Sequence, residues 1–234
     1  MSRELPILFN TEMVRAILDG RKKCTRRIVK IPNYIKQQDD GLYTLFAEGT
    51  CYENQHFEEI VQYLKKPYQP GDILYVRETW GHPISLNSDK QYVFRADKIA
   101  ESGFKNDSHI WYPSIHMPKE AARIWLKVTD VRVERLQEIT EVQAQAEGIR
   151  GYSKDGNLYK YAVTDDWWID FHNKHRKSFF GGTWWQDMPR TAREAFSYLW
   201  NNTIKKFDLD RYGWDANPYV FMIEFIRIDK PEEI

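Results

Sequence analysis

The stretch Ile124-Trp125-Leu126-Lys127-Val128-Thr129-Asp130-Val131-Arg132-Val133 decides how the chain is read. Ile124, Leu126 and Val128 are apolar at every second position, the period of a strand with one buried face. The apolar positions resume at Val131 and Val133, one residue out of phase. An extra residue in one strand of a pair produces that slip, so a bulge or bend is expected near Thr129-Asp130. From Ala122 to Leu136 the chain carries its strongest strand signal, and a long bent strand of this kind belongs to a curved sheet.

The segments on either side fit such a sheet. Thr140-Glu141-Val142-Gln143 is a capping-box pattern that opens a short helix, which Gly148 can end. Arg190 to Ile204 reads as a helix with Ala192, Ala195, Phe196, Leu199 and Trp200 on one face. Tyr219 to Ile228 is a largely apolar closing strand. Toward the N-terminus, Pro70-Gly71-Asp72 is a turn that launches a β-rich run from Ile73 to Trp80, and Gln91 to Arg95 suits another strand. Leu5 to Phe9 is a first short strand. Asn10 or Thr11 caps a helix carrying Met13, Val14, Ile17 and Leu18, which Gly20 stops. A strand follows near 25–29. Residues 31–66 are polar, lack a clear period and read as an insertion, and residues 151–189, rich in Gly, Trp and charge, read as a second insertion or a lid. Strands dominate and do not alternate regularly with helices, so the expected class is α+β with a barrel-like sheet and flanking helices, not a doubly wound parallel fold.

The 234 residues carry 34 Lys plus Arg against 34 Asp plus Glu, so the formal net charge is zero. That argues against a protein that coats DNA through bulk charge, though not against a local basic groove. Nine Trp, fourteen Tyr and twelve Phe are enough for a core with rings to spare for base stacking. Cys24 and Cys51 have no metal-site spacing, which suits a reducing compartment. The N-terminus lacks the apolar run of a signal peptide, and no stretch has the length of a membrane span. The expected location is the cytoplasm, without membrane partners.

Chemistry concentrates at Gly20-Arg21-Lys22-Lys23-Cys24-Thr25-Arg26-Arg27, where the first helix gives way to a strand. Thr25 can serve as a nucleophile if a base takes its proton, and Lys22 can be that base if its site favours the neutral amine. The bland alternative is solvated surface and turn chemistry. His172 and His175, with Asp170 two residues earlier, sit at a spacing that shares a helix face and hints at metal ligation, but no Cys accompanies them, a third ligand is not assured, and no metal site or cofactor is assigned. The pairs Trp167-Trp168 and Trp184-Trp185 suit core or lid packing. His116, between Pro113 and Pro118, reads as a buried, satisfied histidine. Arg77 and Glu78 read as a structural ion pair or ladder contact, with a pocket role as the alternative.

Taken in order, several segments resemble the ASCH domain family of the PUA-like superfamily, particularly its phage and prophage proteins. They are Ile17 to Lys22, Thr25, Tyr68 to Leu74, the strand at 124–136, Ile139 to Gly148 and Tyr219 to Phe225. Arg77-Glu78-Thr79-Trp80 and Ile115-His116-Met117-Pro118 carry the narrower phage-type resemblance. The resemblance implies a single domain, a PUA-like mixed β-barrel with flanking helices and insertions at about 31–66, 81–121 and 151–195, that recognises RNA or a modified nucleobase or nucleoside. It also implies an amidohydrolase site for N4-acylated cytidine, because Lys22, Thr25 and Glu147 match a family pattern of lysine, threonine and glutamate. Arg21, Arg26, Arg27, Tyr75, Arg77 and Trp80 are then candidates for nucleic-acid or nucleoside binding. A non-catalytic RNA-binding module and a phage morphogenetic factor remain alternatives.

Overall fold

A computed structural model describes residues 2–30, 35–47, 50–83, 91–97, 110–153, 156–157, 159–162 and 188–232. Strand β1 (Glu4–Leu8) leads into helix α1 (Thr11–Leu18), where the Asn10 side chain accepts the Met13 amide at 2.9 Å and so caps the first turn. Strand β2 (Cys24–Ile28) follows the basic junction. A small sheet of β3 (Ile35–Gln37), β4 (Tyr43–Ala47) and β5 (Thr50–Gln55) comes next, then the single turn α2 (Phe57–Ile60). Beyond the Pro70-Gly71 turn come β6 (Ile73–Arg77), the short pair β7 (Trp80–Gly81) and β8 (Val93–Phe94), and β9 (Trp125–Arg135). Helix α3 (Glu141–Ala146) precedes the hairpin of β10 (Arg150–Ser153) and β11 (Tyr159–Ala162). Helix α4 (Ala192–Thr203), the turn α5 (Leu209–Tyr212) and β12 (Tyr219–Ile228) complete the order.

The body is a five-stranded sheet in the order β1-β6-β9-β12-β2. Only the β1–β6 pair is parallel. The expected slip in β9 is present: Glu224 faces Asp130 and Phe225 faces Val128, leaving Thr129 as the extra residue. The expected α+β class holds. The described strands form no closed barrel, because β1 and β2 do not pair and remain edges. The sheet nevertheless brings those edges within one side chain of each other: Arg27 on β2 donates to the Leu8 carbonyl of β1 at 2.9 Å.

The inner face of the sheet and α1 bury Ile7, Val14, Ile17, Leu74, Val76, Leu126 and Ile223. Burial of this much apolar surface, at about 25 cal/mol per Å², drives the assembly. The segment expected as a 31–66 insertion contributes Ile35, Tyr43, Leu45, Phe57, Ile60 and Leu64 to that same core. Its period is obscured because its strands are short and each lends only one or two side chains. On the outer face, α4 packs Phe196, Leu199 and Trp200 against Leu136, Ile149 and Val220. The expected α4 face is the buried one, and Thr191 caps its start by accepting the Glu194 amide. No helix among the described residues is long and apolar enough to cross a membrane.

Candidate functional site

The junction after α1 is held to the end of α3 by three successive contacts. Arg21 donates to the Gly148 carbonyl, the Lys23 amide donates to the Ala146 carbonyl at 2.7 Å, and Lys22 Nζ donates to the Glu147 carbonyl at 2.9 Å. Gly148 permits this closeness. Its φ of +108° is a left-handed conformation, and a Cβ built there would lie 2.9 Å from the Cβ of Ala16 in α1. Glu147 is the C-cap of α3, so its side chain is delivered to the start of β2 by a helix whose other end is fixed by the Thr140–Gln143 capping box.

Glu147 is the hub of a buried ion cluster. Lys22 Nζ lies 2.6 Å from Oε2, and the Arg26 guanidinium lies 3.1 Å from Oε1. The Lys22 and Arg26 side chains are fully shielded from solvent. Arg26 also donates to Glu134 on β9 through Nε at 2.9 Å and through a second nitrogen at 2.5 Å. Glu134 in turn meets Arg132 at 3.3 Å. Charges removed from water at this depth persist only when paired and hydrogen-bonded. The alternating cations and carboxylates of the cluster meet that requirement. Lys22 and Arg27 also both stand over the Phe9 ring, 5.6 and 5.4 Å from its centroid.

Thr25 sits between Lys22 and Arg26 in sequence and faces Ile223 across the β2–β12 ladder, with 1% of its surface exposed. Arg26 faces Met222, on the opposite side of the sheet. Because β2 is an edge strand, one recess along its free edge touches both. That recess is lined by Thr25, Arg26, Arg27 and Glu147, with Met13 and Phe196 from the flanking helices. Its volume is about 30 Å³, room for about two waters or the small end of a ligand whose body lies across the mouth. Burial lowers the pKa of Arg27 beside it, and burial together with the Glu147 charge pushes the Cys24 thiol up to about 12, which disfavours its thiolate.

Lys22, Cys24, Thr25 and Arg26 of the junction are buried, and for them the reading as solvated surface is overturned, whereas Gly20 and Lys23 stay exposed. Lys22, Arg26 and Glu147 meet directly, and Thr25 lines the same recess as Glu147 and Arg26. Arg26 acts as an internal counter-ion rather than as an exposed anchor. Arg21 binds backbone and Asp19 at the periphery. Tyr75, Arg77 and Trp80 do not join this group: none of them lines the recess or pairs with Lys22, Arg26 or Glu147 among the described residues. Tyr75 packs on Trp125, Arg77 donates to the Met117 carbonyl at 2.7 Å, and Trp80 is buried with Met117, Ala121 and Ala122. Glu78 pairs with Arg123 at 2.9 Å instead of with its neighbour Arg77, because successive strand residues point to opposite faces. Burial raises the Glu78 pKa, and Arg123 offsets only part of that. His116 is exposed, and Met117 takes the buried place beside it. His172, His175, Asp170 and the tryptophans at 167–168 and 184–185 lie outside the described residues. Glu134 and Gln143 join the cluster without having been expected there. The polar alternation Asp130-Arg132-Glu134 in β9 is the available signal for the first.

Compared with models of known protein families, with curated proteins and with solved structures, the chain matches none.

Proposed function

We propose that the chain is a single PUA-like domain of ASCH type that recognises a modified nucleobase or nucleoside, free or within RNA, and hydrolyses an N4-acylcytidine-type amide. The observation that carries this reading is the meeting of three residues from two distant segments. Glu147 is hydrogen-bonded to Lys22 and lines the same recess as the Thr25 hydroxyl.

The recess takes the acyl end of the ligand, and the base lies over its mouth. Thr25 Oγ forms a bond to the acyl carbon while its proton passes to the Lys22–Glu147 pair. The same pair returns a proton to N4 as the carbon–nitrogen bond breaks, releasing cytidine. Water then cleaves the Thr25 ester, giving the carboxylic acid and the free hydroxyl. Arg26 and Arg27 supply positive potential for the oxyanion in each half. Glu147 keeps unused lone pairs on both oxygens, so it can also accept from the N4–H of the base.

One observation favours a second reading. Both Glu147 oxygens are already ion-paired, as in a cluster that only ties β2 to α3. The chain would then bind RNA without chemistry, with a salt-dependent affinity weakened by Arg27→Gln and indifferent to Thr25→Ala. Acetate release from N4-acetylcytidine separates the two. The hydrolase reading expects release that Lys22→Ala and Thr25→Ala both abolish. No release from a panel of N4-acylated cytidines would leave the binding module.

A further inference from the structure

A second and larger cavity opens where the sheet interior meets the C-terminal end of α1. Its volume is about 320 Å³, within the range of small-ligand pockets and typical of the mouth of a curled sheet. Ile17, Leu126 and Phe225, each at most 3% exposed, form an apolar floor. Lys23 and Arg227 stand at the exposed rim. Among the described residues no carboxylate lines the cavity, and Lys22, which contributes to its wall, spends its charge on Glu147. The nearest acidic neighbour in sequence, Asp19, is held by Arg21 at 2.9 Å. Among the described residues neither Lys23 nor Arg227 forms an ion pair. Phe225 and Arg227 fall on the same face of β12, and Arg227 faces Leu126 across the ladder, so the guanidinium rises directly beside the apolar floor.

We propose that this cavity is a ligand site for a small anion with a flat apolar body, such as an aromatic carboxylate. The body fills the space over Leu126 and Phe225, and the anionic group meets Lys23 and Arg227 at the rim. Two cations without ion-pair partners among the described residues, beside buried apolar surface, attract such a ligand and disfavour its neutral or cationic isosteres. The inference goes beyond the nucleoside reading and shares only Lys22 with it.

The test is an amide-resolved NMR titration of the full chain with 2-naphthoate, with 2-naphthalenemethanol as the neutral isostere. The expected result is saturable binding of naphthoate with shifts centred on Gly20, Lys23, Ile226 and Arg227. The alcohol should bind about tenfold more weakly, and the Lys23→Gln, Arg227→Gln pair should weaken naphthoate by a similar factor. Leu18→Trp, at a half-buried wall position, should fill the cavity and remove binding while the rest of the spectrum stays folded. Absence of naphthoate binding, shifts centred elsewhere, equal affinity for the alcohol, or indifference to the double substitution would each overturn the proposal. The readout contains no acyl-transfer step, so loss of hydrolysis and loss of this binding are separate results.

Discussion

Glu147 shows what a buried charge demands of its surroundings. Its carboxylate is satisfied only because Lys22 and Arg26 arrive from β2 and its start, and each of those cations depends on it in return. Replacing Glu147 by Gln leaves the shielded Lys22 with a neutral partner and Arg26 with Glu134 alone. Removing one member of a buried ion pair typically costs about 3–5 kcal/mol, so Glu147→Gln should lower the urea midpoint of unfolding strongly. Glu120→Gln, at an exposed position with no side-chain hydrogen bond or ion pair among the described residues, should shift it far less. Equal midpoints would show that the cluster contributes nothing net to the fold. The Lys22-x-x-Thr25 spacing was legible in the residues themselves, whereas Glu147 became a candidate only through the family resemblance. The fate of Arg26 was legible in neither. Its side chain points inward because β2 alternates at the sheet edge, and only the placement of Glu134 and Glu147 reveals where its charge is met.

At the scale of elements, the local signals that held were those with a mechanism inside a few residues. The slip between Val128 and Val131 gave the β9 bulge, the Thr140–Gln143 pair gave the start of α3, and the apolar face of α4 was the buried one. What local sequence could not give is which elements touch. Gly148 illustrates the gap: it reads as a helix stop, yet its lack of a side chain also lets α3 lie against Ala16 of α1. Gly148→Ala combines a left-handed φ with a Cβ that has no room, and strain of this kind costs about 1–3 kcal/mol. The substitution should destabilise the chain by at least that much and weaken the Lys22–Glu147 contact with it. Gly156→Ala, also at positive φ (+83°) but with nothing within 4 Å of the added Cβ, should cost less. A reversed order in denaturant unfolding would refute the steric account.

Across the whole molecule, the α+β class and the prominence of the strands followed from the period-2 segments, whereas closure of the sheet did not. Edge pairing depends on where β1 and β2 meet in space, and there a side chain, Arg27, spans the gap that a ladder would otherwise fill. The 31–66 stretch joined the main core because its few apolar residues are spent on long-range packing, which no local period records. The acid response of the fold should trace to the turn that launches β6. Asp72 accepts from Arg3 at 3.0 Å and from the Gln69 amide at 2.7 Å, and the Arg3 hydrogen bond chiefly holds its pKa below the ordinary 3.8. A carboxylate depressed in the folded state contributes stability above its unfolded pKa and loses it as pH falls through the folded value. Stability should therefore drop as pH falls below about 3.8, and Asp72→Asn should lower the neutral plateau and flatten that acid limb, read by unfolding at stepped pH. An unchanged limb would place the acid sensitivity elsewhere.

The proposed chemistry rests on one oxygen atom, and the most direct measurement compares acetate release from N4-acetylcytidine by the native chain, Thr25→Ser and Thr25→Val. Valine preserves the shape of the side chain against Ile223 and removes only the hydroxyl. Loss of a nucleophile that works as part of a unit typically costs a factor of about a thousand or more. The expected result is release by the native chain, retained in part by Thr25→Ser and abolished in Thr25→Val at an unchanged urea midpoint. Release by Thr25→Val at the native rate, or none by the native chain, would contradict it.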